Sequence, residues 1–519
     1  MELADWFLTP AERGNPDTEL DRRHPGGLAW TSGNLVTPLP HGASYFPELL
    51  RAVQAMQAGD LLLFTDWRGD PDQRLSPDAS VSDVFAAAAR RGVIVKGLVW
   101  RSHLDRFSFS EQENRHLGER IEAAGGECLL DMRVRPGGSH HQKFVVLRHP
   151  GRPELDVAFV GGIDLCHSRL DGPEHHGDPQ RQPMAKVYGS RPPWHDLQVA
   201  LRGPAVDDVE TVFRERWEDP APLTRNPLHR VGDFCRRADE SPGRLPDRLP
   251  TPAERGSAHV QLLRTYPYRR AGYPFARQGE RSIARGYLKA IGNAHRLIYL
   301  EDQYLWSERV INCFAEALRQ NRQLHLIAVI PLFPDQDGRF SMPPNLVGRV
   351  GAMQALHQAG GERVAVYGIQ NAQRVPIYVH AKVCVIDDLW ASVGSDNLNR
   401  RSWTHDSELT CAVIDDRLDT REPAMLDRFG GGARVFARDL RLLLAAEHLG
   451  RDPAEVADLV EPSAMFAAFA EAADREGSRL RRYHRPSLSR RTLLWADPLY
   501  RVVYDPDGRP GRMRRAGQF

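Results

Sequence analysis

The sequence has few lysines, isolated cysteines and no long apolar run, and each shortage argues against a class of protein. No stretch approaches about 18 consecutive apolar residues, and the first residues lack a basic segment followed by an apolar one. We therefore expect no transmembrane segment, and we predict a cytoplasmic protein that meets a membrane only at its surface. The six cysteines form no CxxC pair, which argues against a disulfide framework and a cysteine-bound metal.

The charges of the chain nearly cancel. Its 69 basic and 68 acidic side chains leave a formal net charge of +1, so no long-range field attracts polyanions. This balance argues against a dedicated nucleic-acid binder, which usually carries a basic excess. Only five of the basic residues are lysines, and the others are arginines. Where a lysine does occur, a compact ammonium group is indicated.

Apolar strands alternate with helices twice along the chain. The strands predicted in the first half lie at 61–67, 93–100, 127–132, 141–148, 156–162 and 196–203. The second half predicts strands at 296–305, 324–333, 363–368 and 379–387, two further strands after residue 389, and helices at 422–447 and 453–475. Apolar strands separated by helices predict an α/β fold whose mixed sheets are covered on both faces.

The two halves are separated by a segment of different composition. Residues 238–258 hold four prolines and no apolar periodicity, which is typical of a linker. We predict one domain at 1–237, this linker, and a second domain at 259–519 that ends in a helical tail. Because AFVGGIDL (158–165) aligns with ASVGSDNL (391–398), we also predict a duplication and a pseudo-twofold pair of similar domains.

Each half contains one His-x-Lys pair, His141/Lys143 and His380/Lys382. With 20 histidines and five lysines in the chain, fewer than one such pair is expected by chance. On a strand, positions i and i+2 point to the same face, so facing halves bring the four side chains together. Two imidazoles and two ammonium groups suit a phosphodiester: one histidine attacks phosphorus, the other protonates the leaving oxygen, and the lysines bind the remaining oxygens. This chemistry requires no metal and no cofactor.

Further motifs surround these two pairs. In the second half His380, Lys382 and Asp387 are followed by Gly394, Ser395 and Asn397, and then by NLNRRSWTHDSEL. The first half has SHHQKFVVL, AFVGGIDLCHSRLDGP and WHDLQVALRGPAVDDVETVFRERW, and further segments are IYLEDQYL and FARDLRLLLAAEHLG. Over residues 45–500 the sequence resembles the phospholipase D superfamily, and it is most similar to the two-motif enzymes of plants and other eukaryotes. The resemblance implies two α/β/α domains with the active site at their interface.

The resemblance also implies roles for single residues. It favours His141 as nucleophile and His380 as acid, although the sequence itself is nearly symmetric and leaves that assignment open. It further implies that Asp196 holds His141 and that Glu408 holds His380. Four more residues match positions that contact or shape the phosphate pocket, or that only cap its turns: Gly162, Asp164, Ser395 and Asn397.

The first motif departs from the family at one position. Arg148 stands where the family has an aspartate. We expect Asp156, which follows eight residues later after a longer turn, to replace that aspartate. In the family this aspartate supports the turn more than the chemistry, so we expect activity to be retained.

The predicted function is hydrolysis of glycerophospholipids such as phosphatidylcholine to phosphatidate and alcohol, through a phosphohistidine and with transphosphatidylation as a variant. Its partner is then phospholipid at a membrane surface, with no stable nucleic-acid partner. The alternatives are a phosphatidyltransferase of the cardiolipin or phosphatidylserine synthase type, a nuclease, and a lipid- or nucleic-acid-binding pseudoenzyme. The sequence leaves the oligomeric state open.

Three segments allow more than one interpretation. Residues 264–275 interleave arginine with aromatic residues and residues 332–348 are apolar, so each either rests on a lipid interface or forms a buried connection. Residues 171–179 are rich in histidine but lack a metal-ligand spacing, so we predict a solvated loop there.

Overall fold

The computed structural model describes residues 2–102, 111–236, 241–422 and 431–519. Within these ranges the predicted mixed α/β architecture is confirmed, and two similar domains share one large sheet. The helix predicted at 422–447 falls partly outside the described residues, and its described part begins only at Val435.

The two halves contribute seven equivalent strands each. The first half has β1 (Thr31–Pro40), β2 (Leu61–Asp66), β3 (Ile94–Trp100), β4 (Glu127–Asp131), β5 (Phe144–Arg148), β6 (Val157–Gly161) and β7 (Leu197–Arg202). The second half has β8 (Ala258–Tyr266), β9 (Leu297–Glu301), β10 (His325–Val329), β11 (Val364–Ile369), β12 (Val383–Ile386), β13 (Trp390–Gly394) and β14 (Glu408–Asp415). A short strand, β15 (Leu480–Arg482), pairs with β11.

The two halves have the same order of strands. The first half runs β1-β7-β6-β5-β2-β3-β4, and the second runs β8-β14-β13-β12-β9-β10-β11-β15. Each strand of the first half therefore corresponds to the strand seven labels later. The halves join where β1 pairs antiparallel with β8, which makes the sheet continuous. This repeated order supports the duplication that the aligned segments predict.

Helices cover both faces of the sheet. They are α1 (Leu3–Trp6), α2 (Pro10–Arg13), α3 (His41–Gln54), α4 (Val81–Arg90), α5 (Glu111–Glu122), α6 (Ala205–Trp217), α7 (Pro227–Arg236), α8 (Ser282–Gly292), α9 (Glu308–Gln320), α10 (Met342–Gly360), α11 (Arg400–Thr404), α12 (Val435–Leu449), α13 (Pro462–Asp474), α14 (Arg490–Leu499) and α15 (Gly511–Arg515). Helices α6, α12 and α13 share a core that spans both halves, whereas α3 to α5 and α8 to α10 pack in two separate clusters. The strands are apolar throughout because both faces are buried.

The connection between the halves was only partly predicted. Strand β1, which joins the sheets, was missed because two prolines and a glycine interrupt its apolar pattern. Described residues 241–257 form no regular element but are packed, since Leu245 is buried and the Pro250 carbonyl accepts a hydrogen bond from Arg148. The domain boundaries themselves remain a prediction.

Arg148 and Asp387 occupy equivalent positions with different partners. Asp387 accepts backbone N–H groups of the three residues that lead into β9, at 2.6–2.9 Å. Arg148, which pairs in register with Leu61, is fully buried and donates to Asp156 at 2.9 Å and to Glu210. Asp156 therefore compensates the charge of Arg148, and it also accepts the His149 backbone N–H at 2.7 Å, which supports the turn after β5. That Asp156 replaces the missing aspartate stays a prediction.

Replacing Arg148 is expected to destabilise the fold. In Arg148→Met the carboxylates of Asp156 and Glu210 stay buried without this guanidinium, which costs about 3–5 kcal/mol of unfolding free energy. Urea unfolding followed by circular dichroism measures the loss. Arg319→Met is the matched control because its pair with Glu316 is exposed, so it costs about 1 kcal/mol or less. Equal losses in the two variants would contradict a structural role for Arg148.

Candidate active site

The His-x-Lys segments lie immediately before β5 and β12, not inside strands as predicted, since these strands begin at Phe144 and Val383. Each segment instead pairs in parallel with a segment of the other half. The His141 N–H donates to the Ser407 carbonyl at 2.9 Å, and the His380 N–H donates to the His195 carbonyl at 2.7 Å. The two pairings are related by the pseudo-twofold symmetry and place both His-x-Lys segments at the boundary between the halves.

This pairing exchanges the supporting carboxylates. Nδ1 of His141 lies 2.8 Å from Oε2 of Glu408, and Nδ1 of His380 lies 2.6 Å from Oδ2 of Asp196. The four predicted residues are thus together, but the predicted pairing is wrong because each histidine takes its carboxylate from the other half. Since Nδ1 is engaged in both rings, Nε2 is the nitrogen left to face a ligand.

The two lysines converge with the histidines. Nζ of Lys143 donates to the His141 carbonyl at 3.0 Å, and Nζ of Lys382 donates to the His380 carbonyl and to Gln303 at 3.2 Å. Burial, Lys143 and Lys382 together hold the pKa of His141 well below its usual range. Burial, Lys382 and Arg169 do the same for the pKa of His380, with a further contribution from Lys143. Without a bound anion these surroundings favour the neutral form of both imidazoles.

Ser395 and Gly162 occupy equivalent positions and both serve the supporting carboxylates. The Ser395 hydroxyl donates to Oε2 of Glu408 at 2.5 Å. Burial, with the nearby Asp406, raises the pKa of Glu408 to about 8. At Gly162 a Cβ would lie 2.2 Å from Oδ1 of Asp196, so only glycine leaves room for that carboxylate. While these contacts hold, the Ser395 hydroxyl is engaged with Glu408 and Gly162 has no side chain, so neither residue offers a side-chain group to phosphate.

Asp164 and Asn397 form a second equivalent pair. Oδ1 of Asp164 lies 3.3 Å from Nζ of Lys143, and its other oxygen accepts from Arg169 at 3.1 Å. Although burial opposes the charge, Lys143 and Arg169 lower the pKa of Asp164. Oδ1 of Asn397 is buried and has no hydrogen-bond partner among the described residues. Of the two, Asn397 is the better candidate to contact a ligand, because the Asp164 carboxylate repels phosphate.

Sequence reasoning missed an arginine at the site. The guanidinium of Arg169 stacks 3.9 Å above the ring of Trp194, whose centroid is 5.0 Å from that of His380. On the other side, the ring of Trp67 lies 6.2 Å from that of His141. Arg169 lies in the longer segment AFVGGIDLCHSRLDGP, beyond the aligned residues 158–165, and arginines are so common in this chain that composition does not single it out.

A basic groove lies beside the segment that leads to Glu408. It has a volume of about 1260 Å³, and His405 and residues 132–136 are part of its lining. Ser139, just beyond that stretch, receives a hydrogen bond from Ser407 and donates one to Asp406, which links the groove wall to the His141 segment. Eight arginines line the groove: Arg133, Arg135, Arg225, Arg269, Arg270, Arg400, Arg501 and Arg514.

Exposed apolar side chains flank this groove. Leu228 and Phe234 of α7 are each 80% exposed, close in the chain to the groove residue His229, and the groove residue Val502 is 73% exposed. Phe340, also exposed, lies 6.0 Å from Trp495 between ring centroids. The exposed side chains of 332–348 fit the lipid-interface interpretation of that segment.

The aromatic residues of 264–275 behave differently. Tyr266, Tyr273 and Phe275 are buried together in one small cluster, and Arg264 forms buried ion pairs with Glu215 and Glu280. For these side chains the buried-connection interpretation is confirmed, and the lipid-interface interpretation is wrong.

The fold and the site define a duplicated α/β protein with a single centre made of two His-x-Lys pairs. The family model described as phospholipase D matches residues 122–329, and that described as cardiolipin synthase, PLD-like domain, matches residues 287–422. The chain belongs to the phospholipase D superfamily, as its motifs predict.

Relatives and a solved structure show the extent of the similarity. Phospholipase D alpha 1 of Oryza sativa subsp. japonica is 25% identical over 80% of this chain and 65% of the rice protein. Phospholipase D beta 1 of Arabidopsis thaliana is 28% identical over 60% of this chain and 37% of that protein. The chain thus spans less than two thirds of the length of either relative. The crystal structure of phosphatidylserine synthase from Haemophilus influenzae Rd KW20 covers 74% of this chain and 82% of its own, with a TM-score of 0.49 and 12% identity.

In the part of the chain that the structure describes, no helix combines the length and the apolar character needed to cross a membrane.

Anion binding at the site is expected to depend on both lysines and on pH. Burial lowers the pKa of Lys382 to about 8, so its ammonium form predominates below that pH and is lost above it. Sulfate, a dianion throughout this range, should therefore bind more weakly as the pH rises from about 7 to 9. Isothermal titration at pH 7 should show a loss of affinity of about tenfold or more in Lys143→Met and in Lys382→Met.

Lys289 supplies the control for that titration, since Lys289→Met removes an ammonium group that is bound by Glu12 and the Phe7 carbonyl and by no residue of the site. Sulfate affinity that is the same in all three variants, or that increases with pH, would contradict anion binding between the two lysines.

Proposed function

We propose that this protein is a phospholipase D-type phosphodiesterase that hydrolyses glycerophospholipids, such as phosphatidylcholine, to phosphatidate and alcohol. The observation that carries the proposal is the pair of crossed histidine–carboxylate hydrogen bonds around two converging lysines. The imidazole of His380 is buried, that of His141 is partly exposed, and each is oriented by a carboxyl group, as nucleophilic and general acid–base catalysis require.

The proposed reaction has two steps. Nε2 of His141 attacks phosphorus and the bond from phosphorus to the alcohol oxygen breaks, while His380 gives its proton to that oxygen. A water molecule, deprotonated by His380, then attacks the phosphohistidine and the P–N bond breaks. The lysines bind the non-bridging oxygens, and the arriving phosphate charge favours the protonated form of His380 that the first step needs.

Two structural differences support this assignment of roles. The side chain of His141 is 15% exposed and that of His380 is 6% exposed, which favours His141 for direct attack on a substrate. The 2.6 Å contact between His380 and Asp196 is the shorter of the two, as expected where a carboxylate stabilises an imidazolium. The family resemblance favours the same assignment.

The surroundings of the site support a lipid substrate. Basic side chains line the groove beside His405, and exposed apolar side chains flank it, so headgroup phosphates and acyl chains find complementary surfaces. The relatives are named phospholipase D. The proposed location is accordingly the cytoplasm, with the enzyme acting at a membrane surface.

A phosphatidyltransferase is the second candidate. It is favoured by the match of residues 287–422 to the cardiolipin synthase, PLD-like domain. The same phosphohistidine serves both reactions, and only the acceptor differs, being an alcohol in place of water.

The lipase proposal predicts two products from one assay. Phosphatidylcholine vesicles with added ethanol should yield phosphatidate and phosphatidylethanol, both reduced about 10³-fold or more in His141→Ala and in His380→Ala. Mass spectrometry of the lipids measures both products. The exposed histidine of α5 provides a control, His116→Ala, which should retain full activity.

The outcomes of this assay separate the candidates. Phosphatidylethanol without phosphatidate would favour the transferase, and nicking of plasmid DNA without lipid turnover would favour a nuclease. Lipid binding without any product would indicate a pseudoenzyme and would refute the proposal.

The pairing of each carboxylate with the histidine of the other half predicts different kinetics for the two carboxylate variants. With phosphatidyl-p-nitrophenol the leaving group needs no proton, so His380→Ala should release about one equivalent of nitrophenol and then stall as a phosphohistidine. Asp196→Asn, which perturbs His380, should also show a burst, whereas Glu408→Gln should slow the burst itself as His141→Ala does, by about 10²–10⁴-fold. Stopped-flow absorbance and intact-protein mass spectrometry follow the two events. The reverse assignment of the two carboxylate variants would show that the pairing is not crossed.

A further inference from the structure

A second cluster of chemically active side chains lies behind the site. His41, at the start of α3, and His175 and His195 all direct a ring nitrogen at the carboxylate of Glu447 on α12. The distances from Glu447 oxygens are 2.8 Å to Nε2 of His41, 3.0 Å to Nε2 of His175 and 2.9 Å to Nδ1 of His195. The three histidines are buried and belong to the first half, whereas Glu447 belongs to the second. The prediction of a solvated loop at 171–179 is therefore wrong for His175.

Neutral imidazoles carry too few protons to form all the hydrogen bonds that the geometry of this cluster offers. Nδ1 of His175 lies 3.1 Å from the Trp194 carbonyl and must carry the ring proton, which leaves a lone pair on Nε2 facing Glu447. His195 has carboxylates at both nitrogens, Glu447 at 2.9 Å and Glu301 at 2.6 Å, yet a neutral ring has one proton. The cluster therefore needs added positive charge, either protons on the rings or a metal ion between the imidazoles and Glu447.

One divalent ion meets this requirement better than several protons. Protonating two or three of these rings would crowd imidazolium ions whose centroids lie only 4.9–5.8 Å apart, in a buried place. A metal ion instead takes one lone pair from each ring. The four ligand atoms already lie within 4.8 Å of one another, and a tetrahedral zinc site separates its ligand atoms by about 3.3 Å.

Two of the three histidines have the second shell found around metal-bound histidines, whereas Nδ1 of His41 is buried without a hydrogen-bond partner among the described residues. A ligating histidine usually donates its other N–H to a carbonyl or a carboxylate. His175 has the Trp194 carbonyl in that position, and His195 has Glu301. Glu301 is itself held by Tyr299 at 2.6 Å and His448 at 2.7 Å.

Backbone geometry gives independent support. His41 and His175 have φ values of +62° and +53°, in the left-handed region that non-glycine residues seldom adopt. Such strain persists where the surroundings hold the residue in place, and it is concentrated at ligand-binding positions. Two of the four candidate ligands therefore occupy strained positions.

The pseudo-twofold symmetry supplies a parallel. Ser407 stands where His195 stands in the other half, and its hydroxyl accepts a hydrogen bond from Arg216 at 2.8 Å. Arg216 is paired with Asp131 at 2.6 Å, so a cation–carboxylate pair buttresses the segment that presents Glu408. On the opposite side His195 immediately precedes Asp196, and no arginine or lysine hydrogen-bonds to its side chain among the described residues.

We propose that His41, His175, His195 and Glu447 bind one divalent transition-metal ion, most suitably Zn²⁺, that joins the two halves and fixes the segment carrying Asp196. Nitrogen-rich ligands favour zinc and its first-row neighbours over Ca²⁺ and Mg²⁺, which prefer oxygen. The ion is a positioning element: His195 adjoins Asp196, and the His41 N–H donates to the Asp196 carbonyl at 2.9 Å. The chemistry at His141 and His380 does not use it, so the proposal is independent of the lipid substrate.

Metal analysis tests the proposal without any activity assay. Untagged protein purified without chelator should contain about one transition-metal ion per chain by plasma mass spectrometry. After removal of that ion, Co²⁺ should bind and give the strong visible absorption of a tetrahedral site, and Zn²⁺ should raise the melting temperature. His175→Gln and Glu447→Gln should each lower the metal affinity by at least about tenfold.

The neighbouring exposed residue provides the matched control, because His176→Gln removes a histidine from the same loop and should retain the metal. The measurements on the unmodified chain hold even if a variant fails to fold. Protein that is metal-free and takes up neither Co²⁺ nor Zn²⁺ would overturn the proposal, as would full metal content in both ligand variants.

Discussion

The site depends on an exchange of carboxylates between the two halves of the molecule. His141 is oriented by Glu408 and His380 by Asp196, so neither half supplies both members of either pair at the site. The exchange follows from backbone pairing, since each His-x-Lys segment runs parallel to the segment of the other half that bears the carboxylate. The joined sheet and the packed connection between the halves therefore hold the site together as much as its own side chains do.

Arginine and lysine have different tasks in this chain. The large side chains that are almost completely buried include Arg148, Arg438 and Arg441, and each is compensated by carboxylates in a fixed, planar geometry. Two of the five lysines are at the site instead. A buried ammonium group has a readily shifted pKa, and burial lowers the pKa of Lys382 to about 8, close to neutrality. The buried structural cations are thus mostly arginines, whereas the site combines two lysines with Arg169.

The two halves have equivalent strands, but the residues that hold their site carboxylates differ. Gly162 and Ser395 are equivalent, yet one makes room for a carboxylate and the other donates a hydrogen bond to one. Arg216 buttresses the Glu408 side, whereas the histidine cluster at Glu447 lies on the Asp196 side. Such differences allow two similar halves to hold chemically distinct histidines, which a two-step reaction through one nucleophile and one acid requires.

The sequence by itself determined the α/β class, the duplication, the superfamily and the identity of the six central residues. These conclusions follow from local patterns, because apolar periodicity, a repeated segment and two rare His-x-Lys pairs are visible without knowing distances. It did not determine the carboxylate pairing, the partner of Arg148, the burial of His175 or the place of Arg169. All four depend on contacts between residues far apart in the chain. Only the tertiary structure decides such contacts, since spacing along the chain does not specify which half supplies a partner across a shared sheet.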